Sequence, residues 1–190
     1  MSNKRASIRR NIRAEEKLKK SKAPGAELAR IKNEGWKEGK TLAICVGLES
    51  LHEDFGWKRG KLNQFSDKLA FNTASFNKEV LQMAVKPWER KLGERVEEVA
   101  GNEPRMFVDN FKDKIKYEER NKTYVAAASL MMLVLFSEYN FSSNSKRTGR
   151  MDKIIERYTI RYLNIIDDPN YYSARKYAER IKNTTGMIVA

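Results

Sequence analysis

From Ala26 onward, apolar residues recur at near-helical spacing: Leu28, Ile31, Trp36, Leu42, Val46 and Leu48, continuing through Leu51 and Phe55. This spacing predicts a long helix. Gly35 and Gly39 weaken its middle, so a break or kink is expected there. Gly56 stands where a left-handed residue would close the helix. After a short basic turn, Leu62, Phe65, Leu69 and Phe76 follow at steps of three, four and seven, and predict a second helix. Pro87 suits the first turn of a third, with Trp88, Leu92 and Val96 on one face and Gly101-Asn102 and Pro104 ending it. A further helix over 106–122, carrying Phe107, Phe111 and Ile115, leads directly into the apolar run 124–136. A last helical segment follows the second basic turn. With only 4 Pro and 10 Gly in 190 residues, helices are favoured over a turn-rich β fold. The expectation is an all-α helical bundle of six or seven helices.

The two apolar stretches resemble each other. An offset of 84 residues sets Ala43 on Ala127, Val46 on Leu130, Leu48 on Met132 and Leu51 on Leu135. It also sets Asp54 on Glu138, Phe55 on Tyr139, Gly56 on Asn140 and Trp57 on Phe141. Gly and Asn are the residues that best tolerate a left-handed helix end. Past a five-residue insertion, Lys61 meets Arg150, Phe65 meets Ile154 and Phe76 meets Ile165. The expected organisation is a basic N-terminal arm (1–25), a first helix–basic loop–helix unit (26–78), connecting helices (79–122) and a second, similar unit (123–190), as in a tandem duplication.

Charge changes this picture in one respect. The chain carries 38 Lys and Arg against 25 Asp and Glu, a net +13. Nine of the basic residues and two of the acidic ones fall in residues 1–22, which hold +7. Such an excess favours polyanionic partners. Apolar residues are too sparse in this arm for an independent core, so it is expected to be disordered, or helical on contact with a partner. The longest nearly apolar run, 124–136, is shorter than the about 20 residues that span a bilayer. One Cys, Cys45, excludes a disulfide framework within the chain. The charged start lacks the pattern of a secretory signal. These features lead to the expectation of a cytoplasmic protein with no membrane partner.

The segment "NEGWKEGKTLA…LESLHEDFGWKRGKLNQF" carries a resemblance. It is similar to a group of small uncharacterised proteins of phages of Gram-positive bacteria. In that group a basic N-terminus precedes a Gly-aromatic-x-x-Gly segment, here Gly35 to Gly39. An apolar helix follows that ends in Leu-His-x-x-Phe-Gly-aromatic, then a basic turn and a Lys/Arg-Leu-x-x-Phe helix. The closing "NTTGMIV" (183–189) resembles the Thr-Gly-aliphatic tail of the group. The resemblance covers roughly residues 30–75 and, more faintly, 115–189. The second unit departs from it: Glu119 and Thr123 stand for the two glycines and Phe136 for His52. The resemblance implies a phage protein acting in a host cytoplasm, and brings no activity with it.

Catalytic chemistry finds little support. "GWKEGKT" (35–41) has three residues between its first Gly and Gly-Lys-Thr where a phosphate-binding P-loop has four, and no strand pattern precedes it. His52, the only His, is followed by Glu53 and Asp54, but adjacent helical residues diverge by about 100° and do not converge on one ion. A helix-end His beside the negative end of the dipole is the simpler reading. Glu94, Glu97, Glu98 and Asp109 could serve a carboxylate-only nuclease, or form the wet face of an amphipathic helix. Cys45 lies between Ile44 and Val46 and reads as a buried thiol. Met131, Met132 and Leu133 read as core. No metal and no cofactor is expected, and the chain reads as non-enzymatic.

The basic residues remain. Lys58, Arg59 and Lys61 follow the first apolar helix, and Lys146, Arg147 and Arg150 follow the second, each group leading into a helix N-terminus where backbone N–H groups favour phosphate. Arg9, Arg10, Arg13, Lys17, Lys19 and Lys20 in the arm would add backbone contacts, and Arg can grip a phosphate through two hydrogen bonds. Trp57, Tyr158 and Tyr162 stand near enough to stack on bases, although core packing has the prior claim on them. The leading expectation is a nucleic-acid-binding accessory protein that contacts the phosphates of DNA or RNA. The alternative is a protein-interaction module that inhibits or redirects a host protein or nucleoprotein in transcription, replication or defence, such as a CRISPR effector. A homodimer is compatible with either.

Overall fold

The computed structural model describes residues 24–75, 78–100, 111–141, 149–167 and 173–189. Among them are six α-helices and no strand: α1 (Pro24–Glu53), α2 (Arg59–Ser75), α3 (Lys78–Ala100), α4 (Phe111–Tyr139), α5 (Arg150–Asp167) and α6 (Ala174–Thr185). The all-α expectation holds.

Pro24 does more than break the arm: it is the first residue of α1, where its fixed φ fits the helix and its missing N–H has no partner to lose. The helix then runs uninterrupted for 30 residues, through both Gly35 and Gly39. The expected break does not occur because α4 lies directly against those glycines. A Cβ on Gly35 would collide with the carbonyl of Lys116, and one on Gly39 would collide with that of Arg120 and lie 3.0 Å from Thr123 Cβ. Gly47 instead leaves room for the ends of two side chains, those of Met131 and Tyr158. The facing residues rise together along both chains, so α1 and α4 run parallel. Theirs is the most extensive helix–helix contact among the described residues. The glycines let two backbones approach, and the packing they permit offsets their weak helix propensity.

Charged rims close the same seam. Lys112 pairs with Glu27, and Lys116 Nζ lies 2.6 Å from Glu38. Below them the core is continuous, from Leu42, Val46 and Leu51 of α1 through Tyr124, Met131 and Leu135 of α4 to Ile154, Tyr158 and Ile165 of α5. Tyr124 donates its hydroxyl to the Tyr158 carbonyl at 2.9 Å, and Tyr158 donates to the Ala43 carbonyl at 3.0 Å. Both phenols are fully buried, and these bonds satisfy groups that would otherwise cost free energy to desolvate. Met131 and Met132 are core, as their pattern suggests.

The other helices wrap this parallel pair. α3 lies on α4 and α5, α6 on α1, α2 on α4 and α1, and α5 on α1 and α4. Three sequence expectations change here. Pro87 sits inside α3, which begins nine residues earlier at Lys78. Trp36, placed on the apolar face by spacing, is 45% exposed, because the seam with α4 is occupied by Gly35 and Gly39 on either side of it. The helix expected over 106–122 and the apolar run after it are one helix, α4, so the boundary drawn after residue 122 falls inside it. Phe76, Phe107, Gly101-Asn102 and Pro104 lie outside the described residues.

Candidate nucleic-acid interface

Because α1 and α4 run parallel, their C-termini arrive at the same end of the molecule, and so do the starts of α2 and α5. The two ends are built alike. Gly56 has φ 66° and Asn140 φ 55°, the left-handed conformation expected for each. The next amide in each case reaches back six residues: Trp57 N–H to the Leu51 carbonyl at 2.9 Å, and Phe141 N–H to the Leu135 carbonyl at 3.1 Å. His52 adds a bond on the first end only, its Nδ1 lying 2.9 Å from the Trp57 carbonyl. That contact places His52 as a helix-end brace, and no group of three or more potential metal ligands exists among the described residues.

The rings at these ends interlock across the two turns. Phe55 packs on Phe141 with centroids 5.0 Å apart, and Tyr139 packs on Trp57 at 4.9 Å. Trp57 and Phe141 meet edge-on at 6.0 Å, and Phe65 of α2 joins at 6.1 Å from Trp57. Trp57, Phe65 and Phe141 are buried. Core packing therefore claims Trp57, and likewise Tyr158 and Tyr162, which leaves none of the three free to stack on a base.

Cations lie over this aromatic cluster. Lys61 Nζ stands 4.2 Å from the Trp57 centroid, and the Arg150 guanidinium 5.7 Å from that of Phe141. Lys153 Nζ is 5.6 Å from Phe55, and Lys68 Nζ 5.7 Å from Tyr139. Such contacts hold a cation in place while its outward donors stay wet.

Three acidic residues at this end are already engaged. Asp54 accepts two bonds from Arg157, at 2.9 and 2.5 Å, and one from Ser50 Oγ at 2.8 Å. Burial pushes the Asp54 carboxyl up, but these hydrogen bonds and the charges of Arg157 and Lys153 outweigh it and hold it below the usual carboxylate range. Glu138 pairs with Lys68, and Asp152 Oδ1 lies 3.1 Å from Lys91 Nζ. Lys58, Arg59, Lys61 and Arg150, by contrast, are exposed and form no ion pair among the described residues. The Arg59 side chain passes over Gly186, 3.1 Å from where a Cβ would stand, so the end of α6 also borders this face.

The structure thus brings Lys58, Arg59, Lys61 and Arg150 together. Lys146 and Arg147, and Arg9, Arg10, Arg13, Lys17, Lys19 and Lys20, lie outside the described residues. Lys153 and Lys68 were missed in the sequence. Their signal was there: each follows a basic turn on a helix that starts at the same end. Elsewhere, Glu94 pairs with Arg90 along α3, as on a wet helix face, while Asp109 lies outside the described residues. Cys45 is fully buried, and burial, with Glu49 nearby, pushes its thiol up to about 12. No described helix is long and apolar enough to cross a membrane. Comparison with protein families, with curated proteins and with solved structures found no match for this chain.

Proposed function

We propose that this chain is a non-enzymatic nucleic-acid-binding accessory protein, of the phage type its sequence resembles, that holds the phosphate backbone at the end where α1 and α4 terminate. One observation carries the reading. Parallel packing of α1 and α4 brings the starts of α2 and α5 to one face, where Lys58, Arg59, Lys61 and Arg150 stay exposed while Asp54, Glu138 and Asp152 are paired with other cations. α2 and α5 both begin on that face, so their N-terminal N–H groups add to its positive potential. The arm, with its +7, carries the same chemistry but joins α1 at Pro24, the end away from this face. Recognition is by charge, since Trp57, Phe65 and Phe141 are buried and the half-buried Phe55 and Tyr139 are packed against them.

The test is anisotropy of labelled duplex DNA and of structured RNA titrated with the full chain, from about 50 to 300 mM salt. Backbone binding on B-DNA gives a log–log slope of about −0.9 per phosphate neutralised. Reversing the charge at Lys58, Arg59, Lys61 and Arg150 together should flatten that slope. Absent or salt-insensitive binding would remove the proposal.

A second reading, a module that docks on a host protein in the host cytoplasm, draws support from three exposed apolar side chains around the α2–α3 corner: Phe71 (69% exposed), Val80 (52%) and Met83 (71%). Stoichiometric recovery of one host protein, surviving nuclease treatment, would favour it.

A further inference from the structure

Several contacts at the end where α1 and α4 terminate come in reciprocal pairs. Exchanging residues at the offset of 84 turns Phe55–Phe141 into Tyr139–Trp57, and both pairs are made, at 5.0 and 4.9 Å. Trp57–Phe141 turns into itself. With the offset of 89 that applies beyond the insertion, Arg157–Asp54 becomes Lys68–Glu138, and both ion pairs are present. Lys61 over Trp57 becomes Arg150 over Phe141, and again both occur. The same offset sets Trp88 and Leu92 of α3 on Tyr177 and Ile181 of α6. Correspondingly, α3 lies on α4 as α6 lies on α1, while α3 also packs on α5 where α6 makes no comparable contact with α2, so the likeness is local to the α1–α4 end.

A contact set that maps onto itself when the partners are exchanged is the mark of a two-fold interface. Here both partners belong to one chain. Two parallel helices related by such an axis must lie along it, so a local two-fold at this end would run with α1 and α4 and leave the molecule between Trp57 and Phe141. That exit point is the centre of the basic face.

We propose that this face takes duplex nucleic acid, with a local dyad of the duplex laid on the axis between Trp57 and Phe141. The inference rests on the nucleic-acid reading above and adds the form of the ligand. An antiparallel duplex has two-fold axes perpendicular to its length, and two-fold proteins bind with those axes aligned. One strand then meets Lys61, with Lys58 and Arg59 beside it, and the other meets Arg150. Steps of 4.2, 6.0 and 5.7 Å link Lys61 to Arg150 through the two rings, so the two cations stand at most about 16 Å apart, close enough to engage phosphates on both sides of a groove about 6 to 12 Å wide. A single strand has no dyad and would engage the two sides unequally. The pair reads phosphates, so the geometry favours two-strandedness over any particular base sequence.

The experiment uses the full chain, a labelled DNA duplex of about 20 base pairs and either of its strands alone, at about 100 mM salt. A second arm uses an RNA duplex of the same length. Lys61→Glu, Arg150→Glu and the double variant are compared with the charge-keeping Lys61→Arg and Arg150→Lys, with helicity and melting checked for each. The expected result is a duplex preference of about tenfold or more in at least one arm. Each single reversal should weaken duplex binding by a similar factor, and the double by about the product. The conservative variants should bind like the parent. Strand binding as tight as duplex binding, or loss through only one of the two positions, would overturn the duplex inference and leave nucleic-acid binding standing. Binding to neither form would instead overturn the underlying function, and this inference with it.

Discussion

Arg157 closes α5 onto the end of α1 by donating to both oxygens of Asp54, Nε to Oδ2 at 2.9 Å and Nη2 to Oδ1 at 2.5 Å. The bidentate geometry, the Ser50 bond and the low exposure of the Asp54 side chain (9%) separate this pair from an ordinary surface ion pair. Asp54→Asn should cost about 1–3 kcal/mol at pH 7, read as a lower urea midpoint with an unchanged slope. The sign of its pH dependence follows from a folded pKa depressed below the unfolded value of about 3.9. The contribution is complete above that value and disappears as pH falls through the folded one. The difference between parent and variant should therefore shrink below about pH 4. A gap that persists at pH 2 would mean that packing, not charge, explains the loss. The reciprocal pair Lys68–Glu138 is far more exposed, at 46% and 35%, so Lys68→Gln should change stability by less than about 1 kcal/mol.

Gly39 and Gly93 both lie inside helices, yet alanine should act on them in opposite directions. At Gly39 the added Cβ meets backbone of α4, including Tyr124 N at 3.0 Å, so the two central helices must separate. A loss of about 2–3 kcal/mol is expected. At Gly93 nothing lies within 4 Å, so Ala improves helix propensity and should gain about 0.5–1 kcal/mol. Melting of the two variants side by side decides the matter; a Gly39→Ala protein as stable as its parent would refute the close-packed seam.

The left-handed ends give a matched pair of substitutions. Gly56 has open space around it but φ 66°, so Gly56→Ala should lose about 1–2 kcal/mol through backbone strain alone. Asn140→Gly, at φ 55°, relieves the milder strain of Asn and should be neutral or gain a few tenths of a kcal/mol. Denaturation midpoints moving in the same direction for both would contradict the assigned conformations.

Cys45 should be silent in the folded chain. Its thiol is buried and pushed up to about 12, so at pH 8 almost none is thiolate, the reactive form. A thiol reagent should label it only as fast as the protein opens, with the rate rising in parallel with unfolding by urea. Rapid labelling without denaturant would place Cys45 at a surface and disagree with the packing of α1.

Much of this was legible in the sequence because it depends on local spacing. The apolar period predicted helices, and Gly56 and Asn140 marked their ends, since a left-handed position selects for those two residues whatever lies around it. The burial of Cys45, Met131 and Met132 followed from their place in apolar runs. Lys58, Arg59, Lys61 and Arg150 were visible as charge after a helix end.

What sequence alone determined, then, is the all-α class, the left-handed helix ends at Gly56 and Asn140 and the charge that follows them; each is settled by residues within a few positions of one another. Tertiary structure decided what Gly35 and Gly39 are for. Propensity alone reads them as a weak point, and only the backbone of α4 against them turns them into a contact that keeps the helix straight through. The position of Pro87 inside α3 and the exposure of Trp36 were likewise settled by which helix packs where. The parallel direction of α1 and α4 was the largest decision of all, because an antiparallel pair with the same helices would send the starts of α2 and α5 to opposite ends. That direction depends on contacts between residues about 84 positions apart, which no local pattern encodes.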